Sequence, residues 1–335
     1  MSEQEIRQLF SSFNTCRVLV IGDVMVDSYL IGKVDRISPE APVPVVALKQ
    51  RNNLLGGAAN VALNLKALGA NAVLCSVIGN DKQGDVLLEL MKKEGLTTKG
   101  IIRSKERITT SKFRIIGNRM QMLRVDEEID IDLNTRDTAD FINSISQLLV
   151  SYKPDVIIIQ DYNKGVLSAE VIGKISLMAS AGKIPVAVDP KKNNFDCYTG
   201  ITLFKPNLKE ISEGLNLNID PLSVESLRNA AELLHTTQDI NIVLITLSEH
   251  GIFISSKNPD GAETKIIPAL MRSIADVSGA GDTVISMAAL CLASKTGPAI
   301  LATLSNIAGG LVCEKSGVVP VDKAILMKEA ITELQ

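Results

Sequence analysis

Short apolar runs alternate with amphipathic segments along most of the chain. Many of the apolar runs are rich in β-branched residues, and they read CRVLVIGD, NAVLCSVIG, DVIIIQD, IPVAVD, ITLFKP and NIVLITL. Most are followed by a helical pattern, such as AANVALNLKALGA or QGDVLLELMKKEGL. Buried strands that alternate with helices are typical of a parallel sheet with helices on both faces. The pattern therefore predicts a doubly wound α/β fold.

Polar residues stand at or just beyond the ends of several of these runs. In doubly wound sheets, ligands collect at the carboxyl ends of the strands. We therefore expect a ligand site at that edge of the sheet. The residues that the sequence places there are Asp23, Asp161, Asp189, Asn207 and Thr246.

Two stretches break the alternation of strands and helices. Residues 30–54 and 101–124 alternate apolar and polar positions and show little helical pattern, which is typical of β-strands. Because a strand and helix pattern separates the two stretches, we expect a small discontinuous β-sheet lid rather than a linker-joined domain. The α/β core would then comprise residues 1–29, 55–100 and 125–335.

Composition narrows the class of partner. The chain has 335 residues, and 35 Lys and Arg against 38 Asp and Glu give a net charge of −3. Aromatic residues make up only 3%, with no tryptophan, so nucleic acid is not an expected partner. The charged N-terminal segment MSEQEIRQLF does not resemble a signal peptide, and no apolar stretch is long enough to predict a membrane span. We therefore expect a cytoplasmic protein.

Cysteine and histidine offer no metal or disulfide pattern. The two histidines, His235 and His250, are not in a metal-ligand spacing, so we assign them no catalytic role. The five cysteines are scattered and form no Cys-x-x-Cys pair, which predicts reduced thiols. They are Cys16, Cys75, Cys197, Cys291 and Cys313.

The segment ADVSGAGDTV, residues 275–284, places a carboxylate behind a glycine-rich turn. At a helix N-terminus, the backbone N–H groups of Gly279, Ala280 and Gly281 could bind a phosphate, and Asp282 beside it could act as the base for a hydroxyl. An ordinary tight turn with an aspartate that complements the helix dipole explains the segment about as well. The dinucleotide pattern Gly-x-Gly-x-x-Gly fails at valine 284, and no P-loop motif occurs.

Two further motifs allow both a functional and a structural interpretation. In LLGGAAN, Gly56 and Gly57 would let the backbone approach a ligand and Asn60 would contact it, although close helix packing also explains the glycines. In KPNLKE, Asn207 and Glu210 could hold the water shell of a magnesium ion carried by nucleotide phosphates. A plain helix-capping pair is the alternative for this spacing.

Taken together, GGAAN, the two-part β insertion, PNLKE and DVSGAGD resemble the ribokinase-like (PfkB) carbohydrate kinases across nearly the whole chain. The resemblance implies ATP and Mg²⁺ as cofactors and a sugar hydroxyl as the phosphoryl acceptor. It implies that Asp282 is the base and that Gly279, Ala280 and Gly281 form the anion hole. Phosphoryl transfer depends mainly on positioning and charge neutralisation, which such a set would supply.

Within that family, several segments of the sequence resemble kinases of D-glycero-β-D-manno-heptose 7-phosphate. This similarity implies attack by the anomeric hydroxyl and a 1,7-bisphosphate product on the route to ADP-heptose for the lipopolysaccharide core. It also implies a nucleotidyltransferase and a phosphatase as partners in the pathway. The segments concerned are GDVMVDSYLIGKVDRISPEAPVPVV, RMQMLRVDEE, QDYNKGVLS, DPK, TLSEHGI and DVSGAGDTV.

The family resemblance also assigns binding roles. Asp27 would hold sugar hydroxyls, and Asp23, Gly56, Gly57, Asn60, Asp161 and Asp189 would belong to the sugar side. Candidates for the substrate phosphate, with solvated surface charge as the alternative for each, are Lys112, Arg114, Arg124, Lys164 and Lys191. Residues expected to line the ATP cleft, besides Asn207 and Glu210, are Thr246, Ser248, Gly251 and Asn306.

The sequence departs from the family pattern in three places. Ser278 stands where many relatives have threonine, and Asn163 stands where heptose kinases usually have glycine. The chain ends at Gln335 without a nucleotidyltransferase domain, so we expect a separate protein to transfer the adenylyl group. The apolar residues of PVPVVAL, together with the resemblance, predict a homodimer formed through the lid.

Three other functions compete with the heptose kinase hypothesis. The chain could phosphorylate another sugar or a nucleoside, or it could be a catalytically silent sugar-phosphate-binding protein. The intact Asp282 and its glycines count against silence. A dinucleotide oxidoreductase is disfavoured because a lone glycine follows the first strand in VLVIGDVMVD.

Overall fold

A computed structural model describes residues 1–259 and 261–335, and within these residues the strands form two sheets. The larger sheet has nine strands. They are β1 (Arg17–Gly22), β4 (Asn71–Gly79), β5 (Thr97–Ser104), β8 (Val156–Gln160), β9 (Val186–Asp189), β10 (Leu203–Phe204), β11 (Ile242–Thr246), β12 (Ile252–Ser256) and β13 (Glu263–Ile267). Their order across the sheet is β13-β12-β11-β10-β9-β8-β1-β4-β5.

Most neighbours in the large sheet run parallel, and the strand order reverses direction beside β1. Strand β1 pairs in parallel with β4 on one side, Val18 opposite Ala72, and with β8 on the other, Val18 opposite Val156. In the large sheet of the described chain, antiparallel pairing occurs only at one end, between β11 and β12 and between β12 and β13. The predicted doubly wound, mostly parallel sheet is confirmed.

Alternate side chains of β1 enter two separate apolar cores. Val18 and Val20 pack into the core on one face, and Leu19 and Ile21 pack into the core on the other. Helices that contribute to the first core are α1 (Glu3–Ser12), α2 (Ala58–Ala67), α3 (Lys82–Lys93), α8 (Ala280–Ala293), α9 (Pro298–Cys313) and α10 (Lys323–Leu334). Those that contribute to the second are α4 (Thr135–Tyr152), α5 (Ala169–Gly182), α6 (Leu208–Leu215) and α7 (Val224–Thr237). Burial of both faces explains why the strand sequences are continuously apolar.

Local sequence signals fix where the helices begin. The Asp81 side chain accepts a hydrogen bond from the Gly84 N–H at 2.7 Å at the start of α3, and Pro298 opens α9, where no N–H partner is needed. Short 3₁₀ turns lie at Phe13–Thr15, Lys192–Cys197 and Ser248–His250. None of the helices in the described part of the chain is both long and apolar enough to cross a bilayer.

The smaller sheet contains β2 (Val24–Ile37), β3 (Pro44–Gly57), β6 (Ser111–Gly117) and β7 (Met120–Glu127), in the order β3-β2-β6-β7. Strand β2 pairs antiparallel with β3 and parallel with β6, and β6 pairs antiparallel with β7. We call this sheet the lid sheet.

The lid sheet and the expected lid segments differ at their edges. Strand β2 starts at Val24, before residue 30, whereas residues 101–104 belong to β5 at the edge of the large sheet. Strand β5 lies at the edge of the large sheet and most of its residues are partly exposed, which explains why its sequence resembles that of the lid. The division of the chain into core and lid otherwise stays a prediction.

Candidate active site

The carboxyl ends of the parallel strands bring the expected polar residues to one edge of the large sheet. Asp23 follows β1, Asp161 follows β8, and Asp189 ends β9. Backbone hydrogen bonds join these ends directly, from Asp23 N–H to the Gln160 carbonyl at 3.2 Å and from Asp161 N–H to the Asp189 carbonyl at 3.1 Å. These hydrogen bonds therefore fix the relative positions of the strand ends at the site.

Asp282 lies in the first turn of α8 and is 4% exposed. Its Oδ2 accepts a hydrogen bond from Asn60 Nδ2 at 2.7 Å. Its Oδ1 accepts one from the Tyr162 hydroxyl at 2.8 Å and one from Gln160 Nε2 at 3.2 Å. The helix begins after Gly279, whose φ of 84° lies in the left-handed region that favours glycine. The carboxylate is thus held from three sides.

Burial raises the pKa of Asp282 to about 6, because a buried carboxylate is less stable as an anion. The negative charge of Asp189 raises this pKa further. Hydrogen bonds from Asn60 and Tyr162, with the positive charge of Lys205, lower it. A carboxylate with this pKa is ionised at neutral pH and still accepts a proton readily, which suits a general base.

Backbone N–H groups at the start of α8 are free to bind an anion. Within the described residues, the N–H groups of Gly281 and Asp282 have no protein acceptor. The N–H of Ala280 instead donates to the Val277 carbonyl at 3.3 Å. The Gly279 N–H also has no acceptor in the described chain, so among the expected anion-hole residues the structure favours Gly279 and Gly281 over Ala280, and it adds the Asp282 N–H.

Lys205 is a buried cation beside this helix end. Its Nζ lies 3.1 Å from Asp189 Oδ2, and the residue is 2% exposed. A Cβ added at Gly281 would lie 3.7 Å from this Nζ and 3.8 Å from the Asp189 carboxylate. Gln160 Nε2 also donates to Asp189 Oδ2, at 3.1 Å, so Gln160 links this ion pair to Asp282.

On the lid side, Asp27 is paired with Arg114. The guanidinium donates to Asp27 Oδ1 and lies 5.2 Å from the centre of the Tyr29 ring. A side chain at Gly56 would collide with the Asp27 carboxylate. Gly57 has a φ of 61° and leads directly into α2, which carries Asn60. Gly56 therefore contacts Asp27, and Gly57 leads into the helix whose Asn60 donates to Asp282.

The expected phosphate ligands have different surroundings. Lys164 Nζ lies 2.7 Å from Glu128, and Lys191 is paired with Glu210. Arg124 is half exposed and lies 3.0 Å from Asp126. Arg114 is engaged with the Asp27 carboxylate. Lys112, beside Asp27 in the sheet, forms no ion pair with the described residues.

Two of the expected sugar ligands instead hold loops in place. Asp23 accepts hydrogen bonds from the backbone N–H groups of Tyr162 at 2.8 Å, Lys164 at 3.2 Å and Val166 at 3.1 Å. Asp161 is fully buried, and its oxygens accept from the Asn163 N–H, from the Asn194 amide and from the Tyr198 hydroxyl. Burial raises the pKa of Asp161 to about 6. Both carboxylates organise the loop at residues 161–166, so the structure does not favour direct sugar contact by either.

Four of the residues expected on the nucleotide side line one cavity of about 890 Å³, whereas Asn207 and Glu210 are not among its lining residues. Thr246, Ser248 and Gly251 lie on one wall and Asn306 of α9 on another. Asn306 Nδ2 donates to the Pro268 carbonyl at 2.7 Å. The cavity also reaches Ala280 and Gly281, at the start of α8. Its size falls in the range of small-molecule sites, and its inner end meets the free N–H groups beside Asp282.

Asn207 and Glu210 form a helix-capping pair at the start of α6. The Asn207 side chain accepts from the Glu210 N–H at 2.8 Å, and the Glu210 side chain accepts from the Asn207 N–H at 2.8 Å. Glu210 also pairs with Lys191. In the described chain, no group of three or more His, Cys, Asp or Glu could hold a metal ion. These two residues do not provide a direct ligand set, and their contact with the water shell of a nucleotide-bound ion stays a prediction.

Sequence reasoning missed Gln160, Tyr162 and Lys205. Each lies within two positions of a residue that it did single out, in QDYNKG and KPNLKE. A glutamine, a tyrosine and a lysine at strand ends carry no spacing signal of their own. Their roles emerge only when the strand ends meet α8.

His235 and the cysteines, to which the sequence assigned no catalytic role, have the surroundings of structural residues. His235 is buried, with Nδ1 2.7 Å from the Ile240 carbonyl and Nε2 2.8 Å from the Ser255 hydroxyl. The five cysteines are free thiols, and four of them are buried. These contacts are those of packing residues.

The chain matches a known protein family over most of its length. A profile described as "pfkB family carbohydrate kinase" matches residues 16–324. The chain belongs to the pfkB family of carbohydrate kinases. The family expected from the sequence is confirmed, and so is the enzyme class, a phosphotransferase that acts on a sugar hydroxyl.

Curated relatives extend over nearly the whole chain. The bifunctional protein HldE of Trichlorobacter lovleyi is 38% identical over 324 residues, which are 97% of this chain and 65% of that protein. HldE of Geobacter sulfurreducens is 36% identical over 329 residues, with the same two shares. The chain therefore spans slightly less than two thirds of the length of these relatives.

Solved structures share the fold. Phosphofructokinase-2 from Escherichia coli in complex with potassium has a TM-score of 0.76 at 17% identity, covering 95% of this chain and 99% of that one. Ribokinase from Thermotoga maritima has a TM-score of 0.68 at 19% identity, with the same coverage. At such identities the likeness concerns the fold, and it confirms the expected ribokinase-like architecture.

Proposed function

We propose that this protein uses ATP to phosphorylate the anomeric hydroxyl of D-glycero-β-D-manno-heptose 7-phosphate, giving the 1,7-bisphosphate. The observation that supports a kinase most strongly is the position of Asp282. A buried carboxylate with a pKa of about 6 stands beside free N–H groups at the inner end of a cavity large enough for a nucleotide. Base, anion site and nucleotide cavity are the parts that phosphoryl transfer requires.

In the proposed reaction, Asp282 accepts the proton of the sugar hydroxyl as its oxygen bonds to the γ-phosphorus of ATP. The bond from that phosphorus to the leaving oxygen of ADP breaks in the same displacement. The N–H groups of Gly281 and Asp282 would donate to the oxygens of the transferred group. Because these donors are fixed by the start of α8, they need not reorganise during the reaction.

ATP would occupy the 890 Å³ cavity, where Thr246, Ser248, Gly251 and Asn306 would contact it. A Mg²⁺ ion bound to the phosphates would neutralise their charge. Glu210 would reach its water shell, together with Asn207. These contacts are proposed from the chemistry of the side chains and from the family resemblance.

The heptose would lie between Asp282 and the inner face of the lid sheet. Asp27 would hold its hydroxyls, since this carboxylate is connected to the base through Gly56 and Asn60. Lys112 is a reasonable ligand for the 7-phosphate because it is half-buried and free of an ion pair in the described chain. The resemblance of SPEAPVPVV and DYNKG to heptose kinases supports this substrate over other sugars.

The product would enter a route to ADP-heptose for the lipopolysaccharide core. A phosphatase would remove the 7-phosphate, and a nucleotidyltransferase would add the adenylyl group at the anomeric phosphate. We propose that these steps take place in the cytoplasm. The relatives named bifunctional HldE, at 36–40% identity, support this place in metabolism.

We also propose that two copies associate through the outer face of the lid sheet. Cross-strand neighbours show that Phe113 pairs with Val125, Ile115 with Leu123 and Leu30 with Ile115, which makes this face apolar. Leu123 is 55% exposed. An apolar sheet face in water is unfavourable, and a second copy would cover it.

Substitution Asp282→Asn tests the kinase proposal. Loss of the base should lower kcat by about two to four orders of magnitude while ATP still binds, because the asparagine keeps the shape of the site. Substitution Asp85→Asn, which removes an exposed carboxylate 2.7 Å from Arg103, is the matched control and should keep normal turnover. Near-normal kcat in Asp282→Asn would contradict the proposed role.

A further inference from the structure

The Asp282 carboxylate has an unusual number of donors for a base. Asn60 occupies Oδ2, and Tyr162 and Gln160 both occupy Oδ1. A carboxylate offers about four lone-pair positions, so roughly one remains for a substrate hydroxyl. Which donors are present therefore decides the direction from which Asp282 can accept a proton.

Tyr162 differs from the other two donors because a loop, and not a helix or a strand, carries it. Asn60 belongs to α2 and Gln160 ends β8, whereas Tyr162 lies in the loop at residues 161–166. Its N–H donates to Asp23 at 2.8 Å, and its ring lies 5.4 Å from Lys191 Nζ. The buried Asp23 carboxylate binds three N–H groups of this loop and so fixes where the tyrosine stands.

The hydroxyl of Tyr162 acts only as a donor to Asp282 at neutral pH. Burial and the negative charges of Asp282 and Asp189 raise the pKa of Tyr162 far above its ordinary value, so the phenol keeps its proton. A donor to a carboxylate stabilises the anion more than the neutral acid. This bond therefore opposes the effect of burial on Asp282.

We propose that Tyr162 is a positioning residue for phosphoryl transfer, whose hydroxyl orients the Asp282 carboxylate so that one lone pair faces the sugar hydroxyl. The inference rests on the proposed kinase function. Asp23 takes part indirectly, as the anchor of the loop that carries Tyr162. Neither residue exchanges a proton with substrate in this scheme.

Other charged groups around Asp282 belong to several elements. Asp189 ends β9, Lys205 follows β10, and Lys191 lies near the Tyr162 ring. The negative charge of Asp189 raises the pKa of Asp282, and the positive charge of Lys205 lowers it. Removal of the tyrosine hydroxyl leaves all three groups in place, so a change in pH dependence reports the lost hydrogen bond.

The test is the pH profile of kcat for Tyr162→Phe, with ATP, Mg²⁺ and the heptose phosphate at saturation. We expect kcat at neutral pH to fall about tenfold. We also expect the acidic limb, which is the fall of kcat at low pH as Asp282 is protonated, to move to a pH about one unit higher, since the anion loses a donor. The KM for ATP should change little. An acidic limb at the wild-type position, with kcat within about twofold, would overturn the inference.

The matched control is Tyr152→Phe, which removes a tyrosine hydroxyl that donates to the Asn71 carbonyl, 2.7 Å away, and that does not contact the loop at residues 161–166. This variant should lose stability but keep the acidic limb where the wild type has it. An equal shift in both variants would mean that Tyr162 acts only through packing, and it would overturn the inference.

A second variant covers the case in which Tyr162→Phe does not fold. Replacement of Tyr162 by 3-fluorotyrosine keeps the ring and makes the hydroxyl a stronger donor, so the limb should move to lower pH. An unmoved limb would overturn the inference. The kinase proposal fails separately, through normal turnover in Asp282→Asn, so the two failures can be distinguished.

Discussion

Lys205 Nζ lies 3.1 Å from Asp189 Oδ2, and both side chains are almost completely buried. The pair joins the ends of two neighbouring strands and lies close to Gly281 at the N-terminus of α8. Desolvation makes a buried ion pair costly to break, since either partner alone remains as an unpaired charge. The pair is therefore a structural support of the active site.

Substitution Lys205→Met should lower the free energy of unfolding by about 3–5 kcal/mol, because it leaves the Asp189 carboxylate buried and unpaired. Urea denaturation measures this. Lys257→Met is the control, because Lys257 pairs with Asp239 at 2.6 Å on the surface and should cost only about 0–1 kcal/mol. Equal losses of unfolding free energy in the two variants would contradict the claim that the buried pair supports the active site.

The pH dependence of turnover follows from Asp282. Its pKa of about 6 means that the base is protonated, and inactive, below that pH. We expect kcat to be constant from pH 7 to 8, to be halved near pH 6, and to fall about tenfold per unit below it. In Asp282→Asn the residual rate should lose this limb. A wild-type profile that is flat from about pH 5 to 8 would contradict the assignment.

The contact between Gly56 and Asp27 predicts an effect on the sugar side alone. Substitution Gly56→Ala would push against the Asp27 carboxylate, so we expect the KM for sugar to rise by about tenfold or more while the Kd for ATP stays unchanged. Steady-state kinetics and calorimetry measure the two quantities. Gly173→Ala in α5 is the control, because its added Cβ has no described atom within 4 Å. A change in ATP affinity alone would count against the proposed position of the sugar.

Association through the lid is tested at Leu123. Substitution Leu123→Glu places a charge on the apolar outer face and should convert a dimer into a monomer, as measured by light scattering at micromolar concentration. Leu177→Glu, at a 69% exposed position on α5, should leave the dimer intact. If the wild-type protein is a monomer under these conditions, the proposed dimer is wrong.

The sequence predicted the fold and the glycine-rich site because both leave local signals. Continuous apolar strands indicated a sheet buried on both faces, and the glycines before Asp282 indicated a helix start open to an anion. These features depend on neighbouring residues only. They could therefore be identified without knowledge of distant contacts.

Features that depend on distant contacts could not be predicted. Asp23 was expected at the sugar, but its oxygens bind the loop at residues 161–166, and no local pattern reports that pairing. Tyr162 and Lys205 meet α8 only in the folded chain. The capping and metal interpretations of Asn207 were both open from sequence, and the hydrogen bonds of α6 show the cap.

The measurement that tests the central proposal most directly is ATP consumption with Mg²⁺ against a panel of acceptors, with the product position assigned by phosphorus NMR. The panel holds D-glycero-β-D-manno-heptose 7-phosphate, fructose 1- and 6-phosphates, ribose and adenosine. The proposal predicts selective turnover of the heptose, with the new phosphate on its anomeric oxygen. Turnover of another acceptor in preference to the heptose would contradict the proposed substrate, and ATP binding without turnover of any acceptor would contradict the kinase proposal itself.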